Sequence, residues 1–462
     1  MINNNKRYDL KEYNRGVRNR KATAKRRLAI MQKVFMVLLC LSVTLGLILL
    51  GGIAGKSATK DPDEPLFDLG NHHDSTETTL EFTDLSSSSD TTETTEPYKV
   101  EELISANPIA DNYWGELVPC ENPIPYEHYE VHGLYINAVY NLEENLAIAD
   151  NSEINTLVID LKEAGGIYFN STNETAREIG YINPQYDLAA VVEECHAHGV
   201  RVIGRIVCFK DPQLVTRYPD RAICDSTGEP LYFYNEGSSA FASPYDARNW
   251  EYFIEIAEEA ITFGVDEIQF DYVRFPTGAT TSGNTPYYGI ENEVPARSDA
   301  INRFLQTARI RIQDTLGVPL SADIFGIAVT SSLDGDILGQ DWRTVGLTQV
   351  DSLCPMIYPS HYALGTILNG TEYPAPDKAP YEMMYNVLMA GSFYHNTPGY
   401  STVRPYVQAF TAAYIGEGNY MVYDYDAINA QIRGLQDAGQ TEFILWNASA
   451  EYPSGNYGGN RG

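Results

Sequence analysis

The sequence predicts an α/β protein: a closed (β/α)8 barrel preceded by a single transmembrane helix and a disordered stalk. Between residues 131 and 450, eight β-branched or aromatic runs alternate with helical patterns. Strands that alternate with helices are joined by right-handed parallel crossovers, and eight such units favour closure into a barrel. Before them stand an uncharged run of 21 residues and then a segment rich in Ser, Thr and acidic residues.

The N-terminal end has the pattern of a membrane anchor. Residues 1–33 carry eleven Lys or Arg residues against Asp9 and Glu12, and residues 34–54, VFMVLLCLSVTLGLILLGGIA, are uncharged. About 20 apolar residues suffice to cross a bilayer as a helix, and the basic flank is expected to stay in the cytoplasm. We therefore predict a single-pass protein of the cell membrane whose C-terminal domain is extracellular. A cleaved signal peptide is the alternative, although its apolar region is usually about 7–15 residues long.

Three further segments flank the predicted barrel. Residues 55–98 offer too little apolar surface to offset the cost of ordering the chain, which predicts a disordered stalk. Residues 99–130 are expected to pack against the barrel as an N-terminal extension, and residues 451–462 to form a flexible tail.

Charge and cysteine content argue against several partners and sites. The net charge of -30 argues against nucleic acid, whose phosphates would be repelled. Cys40 lies in the apolar run, and the other five cysteines are too widely spaced to predict a disulfide framework or a zinc site. We expect neither a metal ion nor a cofactor, and the sequence makes no prediction about oligomeric state.

Each predicted strand is a short run bounded by loops. The eight runs are residues 133–140, 155–162, 200–209, 266–273, 318–326, 350–358, 403–410 and 442–447. Apolar residues at three- and four-residue steps predict helices between them, over residues 187–199, 248–264, 296–317 and 425–439. An open doubly wound sheet is the alternative, but the segment YNLEENLA after the first strand lacks the glycine-rich phosphate loop expected there.

The lengths of the connections indicate which end of the barrel carries the site. The predicted helices end at glycines that can adopt the left-handed cap, namely Gly199, Gly264, Gly317 and Gly439. The connections from strand to helix are long: residues 274–296, 326–341 and 359–377. Long loops at the carboxyl ends of the strands mark the face where barrel enzymes place their active sites.

The fourth strand, in the segment DEIQFDYVRFP, ends in a carboxylate. Its apolar residues face one way, and its polar residues Glu267, Gln269 and Asp271 face the other, which we predict to be the barrel interior. A buried carboxylate is costly unless it is paired, and Arg274 is the predicted partner of Asp271. The alternative is an ion pair that only braces the rim.

Polar and aromatic residues end the other strands as well, which predicts a ring of such groups around one mouth. They are Asp160, Lys162, Lys210, Asp323, Tyr358, His361, Gln408, Trp446 and Asn447. Carboxylates, amides and aromatic faces together suit a polyhydroxylated ligand. Asp271 and Asp323 lie on neighbouring strands about 5 Å apart, so their carboxyl groups could have either the retaining or the inverting spacing of a glycosidase.

Several quoted segments also resemble a known family. They are VIDLKEAGG, GRIVCFKDP, DEIQFDYVRFP, SADIFG, CPMIYPSHY, RPYVQAF and LWNAS, within residues 131–450. In the same order, they resemble the putative glycosyl hydrolase domain family of bacterial secreted and membrane-anchored proteins, which implies a glycosidase-like TIM barrel. Kinship with alpha-amylase-type and alpha-galactosidase-type barrels would make Asp271 the nucleophile. Amylase-type barrels have a glutamate acid/base on the fifth strand, where this sequence has Asp323; Asp160 and Asp341 are the alternatives.

We therefore expect a membrane-anchored extracellular glycoside hydrolase that cleaves a polysaccharide or oligosaccharide with two carboxyl groups. Asp271 would be the nucleophile or stabiliser and Asp323 the general acid/base, with Arg274 and Lys162 tuning them. The other residues of the ring would hold the carbohydrate substrate. A catalytically inactive surface glycan-binding barrel is the alternative, and a scaffold whose rim loops bind protein is a third reading.

Overall fold

The computed structural model describes residues 113–137, 139–288 and 295–458. The predicted cytoplasmic segment, transmembrane helix and stalk, residues 1–98, lie outside the described residues, as do the start of the extension and the end of the tail. Within the described ranges, no helix is both long enough and apolar enough to cross a bilayer.

Eight parallel strands close into a barrel. They are β1 His132–Ile136, β2 Thr156–Glu163, β3 Arg201–Val207, β4 Glu267–Asp271, β5 Leu320–Phe325, β6 Ser352–Ile357, β7 Tyr406–Gln408 and β8 Phe443–Trp446. Each strand pairs with its neighbours in the sequence, and β1 pairs with both β2 and β8. The pairing of β1 with β8 closes the ring, which confirms the predicted barrel and excludes the open doubly wound sheet.

Helices follow the strands around the ring. They are α1 Leu142–Ala149, α2 Glu174–Glu178, α3 Leu188–Ala197, α4 Pro212–Arg217, α5 Ala247–Ile261, α6 Arg297–Arg309, α7 Gly326–Thr330, α8 Ser332–Leu338, α9 Trp342–Val345, α10 Pro380–His395 and α11 Tyr425–Asp437. Aspartate side chains cap the first turns of α3, α5 and α11. Gly199, Gly264 and Gly439 follow the helices with positive φ, as the sequence predicts.

Short strands outside the ring shape the loops. Gly166–Ile167 pairs antiparallel with β2, and Thr402–Val403 pairs parallel with β6. Tyr232–Phe233 with Ser239–Ala240, and Thr366–Leu368 with Thr371–Tyr373, form two antiparallel hairpins. Both hairpins belong to connections that leave the carboxyl ends of strands, so they enlarge the face where the site is predicted.

The two faces of β4 separate as the alternating pattern predicts. Ile268 and Phe270 belong to the core between strands and helices, where Phe270 stacks on Phe304 of α6 with ring centroids 5.2 Å apart. Glu267 and Gln269 point into the barrel, where Gln269 accepts a hydrogen bond of 2.6 Å from the Tyr406 hydroxyl. The interior of the ring is therefore polar along β4, and Asp271 lies on that same face.

A buried arginine holds the base of the barrel together. Arg404, fully buried, donates to Glu267 at 2.6 Å and to Glu442 at 2.8 Å. His128 of the N-terminal extension contacts Asp351 at 3.1 Å and Glu442 at 2.8 Å. Each charge here has a partner of opposite sign, which offsets the large cost of removing it from water.

The described part of the extension, residues 113–130, packs along the outside of the barrel. Trp114 lies against Tyr245, just before α5, with ring centroids 6.2 Å apart. Further on, the backbone N–H of Ile124 donates to the carbonyl of Asp314, beyond α6. Helices run antiparallel to the strands of a barrel, so they begin on the mouth side and end at the base. The extension therefore passes from the mouth side, at the start of α5, to the base, beyond the end of α6, where His128 is bound.

The His128 contact makes a pH dependence of stability testable. Its hydrogen bonds to Asp351 and Glu442 raise the pKa of His128 to about 10, from an unfolded value of about 6.5. A raised pKa stabilises the fold fully below the unfolded value, and this stabilisation is lost as the pH rises through the folded one. We expect the Tm of the wild type to exceed that of His128→Gln most below pH 6.5, and the gap to shrink by pH 10. Thermal denaturation across this range measures it; a gap that stays constant would show that His128 is not held as a cation.

Candidate active site

The carboxyl ends of the strands open into a mouth lined by long loops. The longest connection, residues 208–246, joins β3 to α5 and contains the short helix α4. It was not identified as a long loop from the sequence. It lies against the loop after β4: the N–H of Tyr234 donates to the carbonyl of Ala279, and that of Tyr287 to the carbonyl of Cys224. These two loops build one side of the rim.

A single buried guanidinium organises the carboxylates at the floor of the mouth. Arg205 of β3 donates to Asp160 at 2.5 Å and to Glu163 at 2.7 Å, both on β2. On the other side it donates to Asp271 of β4, at 3.1 Å from Nε and 2.5 Å from the terminal nitrogen. Its Nε also lies 3.9 Å from Asp323 of β5. The planar fork of an arginine suits this arrangement, because it presents five donors in fixed directions.

Asp271 is held at both of its carboxylate oxygens. Oδ2 accepts the two bonds from Arg205, and Oδ1 accepts a bond of 2.5 Å from the backbone N–H of Tyr272. Charge-assisted bonds of this kind are short and fix the orientation of the carboxylate. Only 6% of the residue is exposed, so it lies at the floor of the mouth, not on the outer rim.

The prediction that Arg274 pairs with Asp271 was wrong. Tyr272 adopts a left-handed conformation, φ 52°, which ends β4 and turns the chain away. Arg274 instead donates to both oxygens of Glu236, at 2.8 and 3.0 Å. Burial alone would raise the pKa of Glu236, but the Arg274 guanidinium lowers it to about 2. The acid that neutralises Arg274 thus comes from the loop after β3.

Asp323 has the opposite environment to Asp271. Its Oδ1 is buried without a hydrogen-bond partner among the described residues. Burial, and then the negative charge of Asp271, raise the pKa of Asp323 well above its ordinary value. Asp323 is therefore protonated under conditions in which an ordinary carboxyl group is ionised.

The two carboxyl groups are close enough to act on one sugar unit. The Nε atom of Arg205 lies 3.1 Å from Oδ2 of Asp271 and 3.9 Å from Oδ2 of Asp323. The two Oδ2 atoms are therefore no more than about 7 Å apart, which includes the retaining spacing of about 5–5.5 Å and the lower end of the inverting range. Two carboxyl groups in different environments, on adjacent strands of one mouth, are what glycoside hydrolysis requires.

The prediction that Lys162 lines the mouth was wrong, because β2 contains a bulge. The pairing with β3 shifts between Asp160 and Lys162, so the side chain of Lys162 turns outward. Its ammonium is fully buried, 2.9 Å from Asp211 and 5.3 Å from the ring of Phe253 on α5. The bulge turns Glu163 inward instead, where it meets Arg205.

Asp160 lies at the mouth, as predicted, between two donors. Its Oδ1 accepts from Arg205, and its Oδ2 accepts a bond of 2.7 Å from the Tyr135 hydroxyl of β1. Burial raises the pKa of Asp160, although Arg205 opposes that shift. Tyr135 also stacks on Trp446, with ring centroids 6.0 Å apart.

Aromatic side chains form a wall on the β6 to β8 side of the mouth. Trp446, half-buried at the end of β8, lies 5.6 Å from Tyr358 and 5.3 Å from Phe410 between ring centroids. His361, which is exposed, contacts Tyr358 edge to face, with ring centroids 5.1 Å apart. The structure thus brings the predicted Tyr358, His361 and Trp446 together, and such faces can pack against the C–H face of a sugar.

Gln408 and Asn447 are used within the protein, against the prediction that they hold a ligand. The Gln408 amide accepts from the N–H of Ser360 and donates to Asp377 at 2.8 Å, with the residue fully buried. The Asn447 amide donates to two backbone carbonyls of the loops after β7 and β8. Both side chains brace loops and have their hydrogen-bonding capacity occupied.

Asp341, the alternative loop acid, is also structural. It caps α9 by accepting from the N–H of Arg343 and is paired with the guanidinium of the same residue at 2.8 Å. Its carboxylate therefore belongs to the start of a helix, which leaves Asp160 and Asp323 as the buried acids beside Asp271.

Sequence reasoning missed Arg205 and Glu236. Arg205 stands inside the apolar run VIGRIVCF, and one charged residue in an otherwise buried strand was the available signal. Glu236 lies in a loop with no such contrast around it. Among residues 113–137, 139–288 and 295–458, no group of three His, Cys, Asp or Glu side chains is arranged to hold a metal ion.

Solved structures that match parts of the chain include a hypothetical protein and several glycosidases. A hypothetical protein from Ruminiclostridium thermocellum is 35% identical, with 41% of this chain and 96% of that chain covered and a TM-score of 0.36. An alpha-galactosidase from Thermus thermophilus is 12% identical, with 72% and 60% covered and a TM-score of 0.40. An alpha-L-fucosidase from Paenibacillus thiaminolyticus is 15% identical, with 69% and 46% covered and a TM-score of 0.43. The chain thus spans less than two thirds of the length of either glycosidase.

A family model covers the whole barrel. No curated protein matches the chain. The model of the putative glycosyl hydrolase domain, however, matches residues 131–452, which include all eight strands and the floor of the mouth. The chain therefore belongs to the putative glycosyl hydrolase domain family.

Proposed function

We propose that the barrel hydrolyses a glycosidic bond of a polysaccharide or oligosaccharide, with Asp271 and Asp323 as its two catalytic carboxyl groups. The observation that carries the proposal is their unequal environment on adjacent strands. Arg205 and a backbone N–H hold Asp271, whereas Asp323 is buried with one oxygen unpartnered. Family membership supports the reaction class, and the aromatic wall supports a sugar ligand.

In this proposal, the different environments of Asp271 and Asp323 support different roles. Asp323, whose pKa is raised by burial, donates a proton to the leaving oxygen as the bond breaks. Asp271 attacks or stabilises the anomeric carbon from the other side of the bond. Arg205 touches no substrate in this scheme; it orients Asp271 and limits the charge repulsion among Asp160, Glu163 and Asp271.

One observation favours the alternative of a glycan-binding barrel without catalysis. Three hydrogen bonds already occupy the two oxygens of Asp271, and a nucleophile must give up part of that solvation to react. In a purely binding protein the same bonds would simply make the floor rigid. The two functions differ in whether removal of the Asp271 charge abolishes turnover or only weakens affinity.

Replacement of the proposed nucleophile tests this directly. We expect Asp271→Asn to lower the rate of sugar release from envelope and plant glycans by at least about a thousandfold, because the amide can neither attack nor stabilise the anomeric carbon. The matched control is Asp187→Asn at the exposed start of α3, where asparagine caps a helix as well as aspartate does. Reducing-sugar release is the measurement, with Tm recorded for both variants. Equal release by Asp271→Asn and wild type would remove Asp271 from the mechanism.

The acid role of Asp323 predicts a dependence on the leaving group. A nitrophenolate departs without protonation, so Asp323→Asn should keep most of the first-step rate on nitrophenyl glycosides and lose it on natural linkages. Because the pKa of Asp323 is raised, wild-type cleavage of natural linkages should persist above the pH at which an ordinary carboxyl group ionises, and then fall as Asp323 loses its proton. Equal losses on both classes of substrate would assign the acid role to another group.

We also propose that residues 34–54 anchor the barrel at the outer face of the cell membrane. The support is the uncharged run behind a basic segment, described above. The full-length protein should stay in the membrane pellet after a high-salt wash, and protease added to intact cells should remove the barrel. Recovery of the protein in the soluble fraction would contradict the anchor.

A further inference from the structure

A cluster with an excess of positive charge borders the mouth beside Asp271. It contains Lys210, directly after β3, and Arg274, after β4, with Glu236 between them. Glu163 of β2 is a further negative charge that acts on Lys210. Its carboxylate, however, already accepts hydrogen bonds from Arg205 and from the N–H of Ala164. Lys210 and Arg274 thus share the carboxylate of Glu236 on this side of the rim.

Glu236 is committed to Arg274 more than to Lys210. Its Oε1 accepts from Arg274 and from the N–H and hydroxyl of Thr277, all at 2.8 to 2.9 Å. Its Oε2 accepts from Arg274 at 3.0 Å, whereas the ammonium of Lys210 lies 3.6 Å away. The Lys210 side chain is 22% exposed. Lys210 therefore combines a weak internal partner with partial exposure to solvent, close to the carboxyl end of β3.

A strained residue positions the cluster. Tyr272 has φ 52°, a conformation that an aromatic residue rarely adopts. Its ring lies 4.8 Å from the Lys210 ammonium and 4.9 Å from the Arg274 guanidinium carbon. Strain of this kind persists where the surroundings fix it, and it concentrates at ligand-binding and active sites. The same residue donates its N–H to Asp271, so the cluster and the proposed nucleophile are joined through one residue.

We propose that Lys210 binds an anionic substituent of the sugar, a carboxylate or a sulfate, in the subsite next to Asp271. The inference rests on the proposed function only in taking the mouth to be a sugar site. An anion here would gain a charge-assisted hydrogen bond from an ammonium group whose carboxylate partner, Glu236, lies 3.6 Å away. Burial, and then Arg274, lower the pKa of Lys210, and a bound anion would raise it again. The net charge of -30 does not prevent this contact, because exposed charges more than about 8 Å away are largely screened at physiological salt.

Binding to matched pairs of glycans tests the inference without turnover. The full-length protein carrying Asp271→Asn is applied to arrayed uronic-acid oligosaccharides and their carboxyl-reduced counterparts, and to sulfated oligosaccharides and their desulfated counterparts. We expect an acidic member to bind more tightly than its neutral counterpart. Adding Lys210→Met should weaken that binding at least about tenfold and Lys210→Arg should preserve it.

The design includes a control for charge and for folding. Lys378→Met removes the same charge from an exposed lysine that donates to the carbonyl of Gly418, and it should leave binding unchanged. Lys210→Met is expected to fold, since Glu236 keeps Arg274 and Thr277 as partners. The two acidic arms distinguish a carboxylate from a sulfate.

Two outcomes would overturn the inference. Neutral and acidic members could bind equally, which would make Lys210 a donor to sugar hydroxyls, or the preference for acidic members could survive Lys210→Met. Neither outcome bears on catalysis, which is read from sugar release by the wild-type and Asp271→Asn proteins. Loss of the proposed hydrolysis would likewise leave the Lys210-dependent preference standing.

Discussion

The mouth of the barrel depends on one constraint, the neutralisation of buried carboxylates by a single guanidinium. Parallel strands that close into a ring direct their carboxyl ends to one place, so Asp160, Glu163, Asp271 and Asp323 meet there whether or not their charges are compatible. Arg205 contacts the first three directly and approaches the fourth. Asp323, which has the least of this compensation, is the acid whose pKa lies well above its ordinary value, and the proposed mechanism uses this difference to separate the proton donor from the nucleophile.

Buried carboxylates at the base of the barrel must also be neutralised, and there two cations do so. There Arg404 pairs with Glu267 and Glu442, and His128 adds a further cation from outside the ring. The carboxylates at the base are all paired, whereas at the mouth Asp323 retains an unpartnered oxygen among the described residues. The base therefore has complete ion pairing, and the mouth contains the incompletely partnered carboxyl group that the proposed mechanism uses as an acid.

The regular alternation of residues along each strand was enough to predict the barrel and its inward faces. It could not predict the irregular backbone positions and loop contacts that place individual side chains. Eight strands and their inward faces follow from alternation, which is a property of every strand, and so Asp160, Asp271 and Asp323 were correctly brought together. Lys162 was misplaced because a bulge adds one residue to β2 and reverses every side chain beyond it. Arg274 was misassigned because a left-handed Tyr272 redirects the chain. Gln408 and Asn447 brace loops, and the course of a loop cannot be predicted from periodicity. The only sequence signal for Arg205 was one charged residue within an apolar run.

The junction between β1 and β8 joins the first and last strands of the ring. Val131 and His128 both bond to Glu442, and the Tyr452 hydroxyl bonds to the carbonyls of Tyr135 and Leu445 across the same junction. During synthesis β1 emerges roughly 300 residues before β8, so one of its edges has no neighbour until β8 has also been made. An open strand edge invites pairing with other chains. A truncation before residue 443 would remove β8 and leave that edge of β1 open to pairing with other chains.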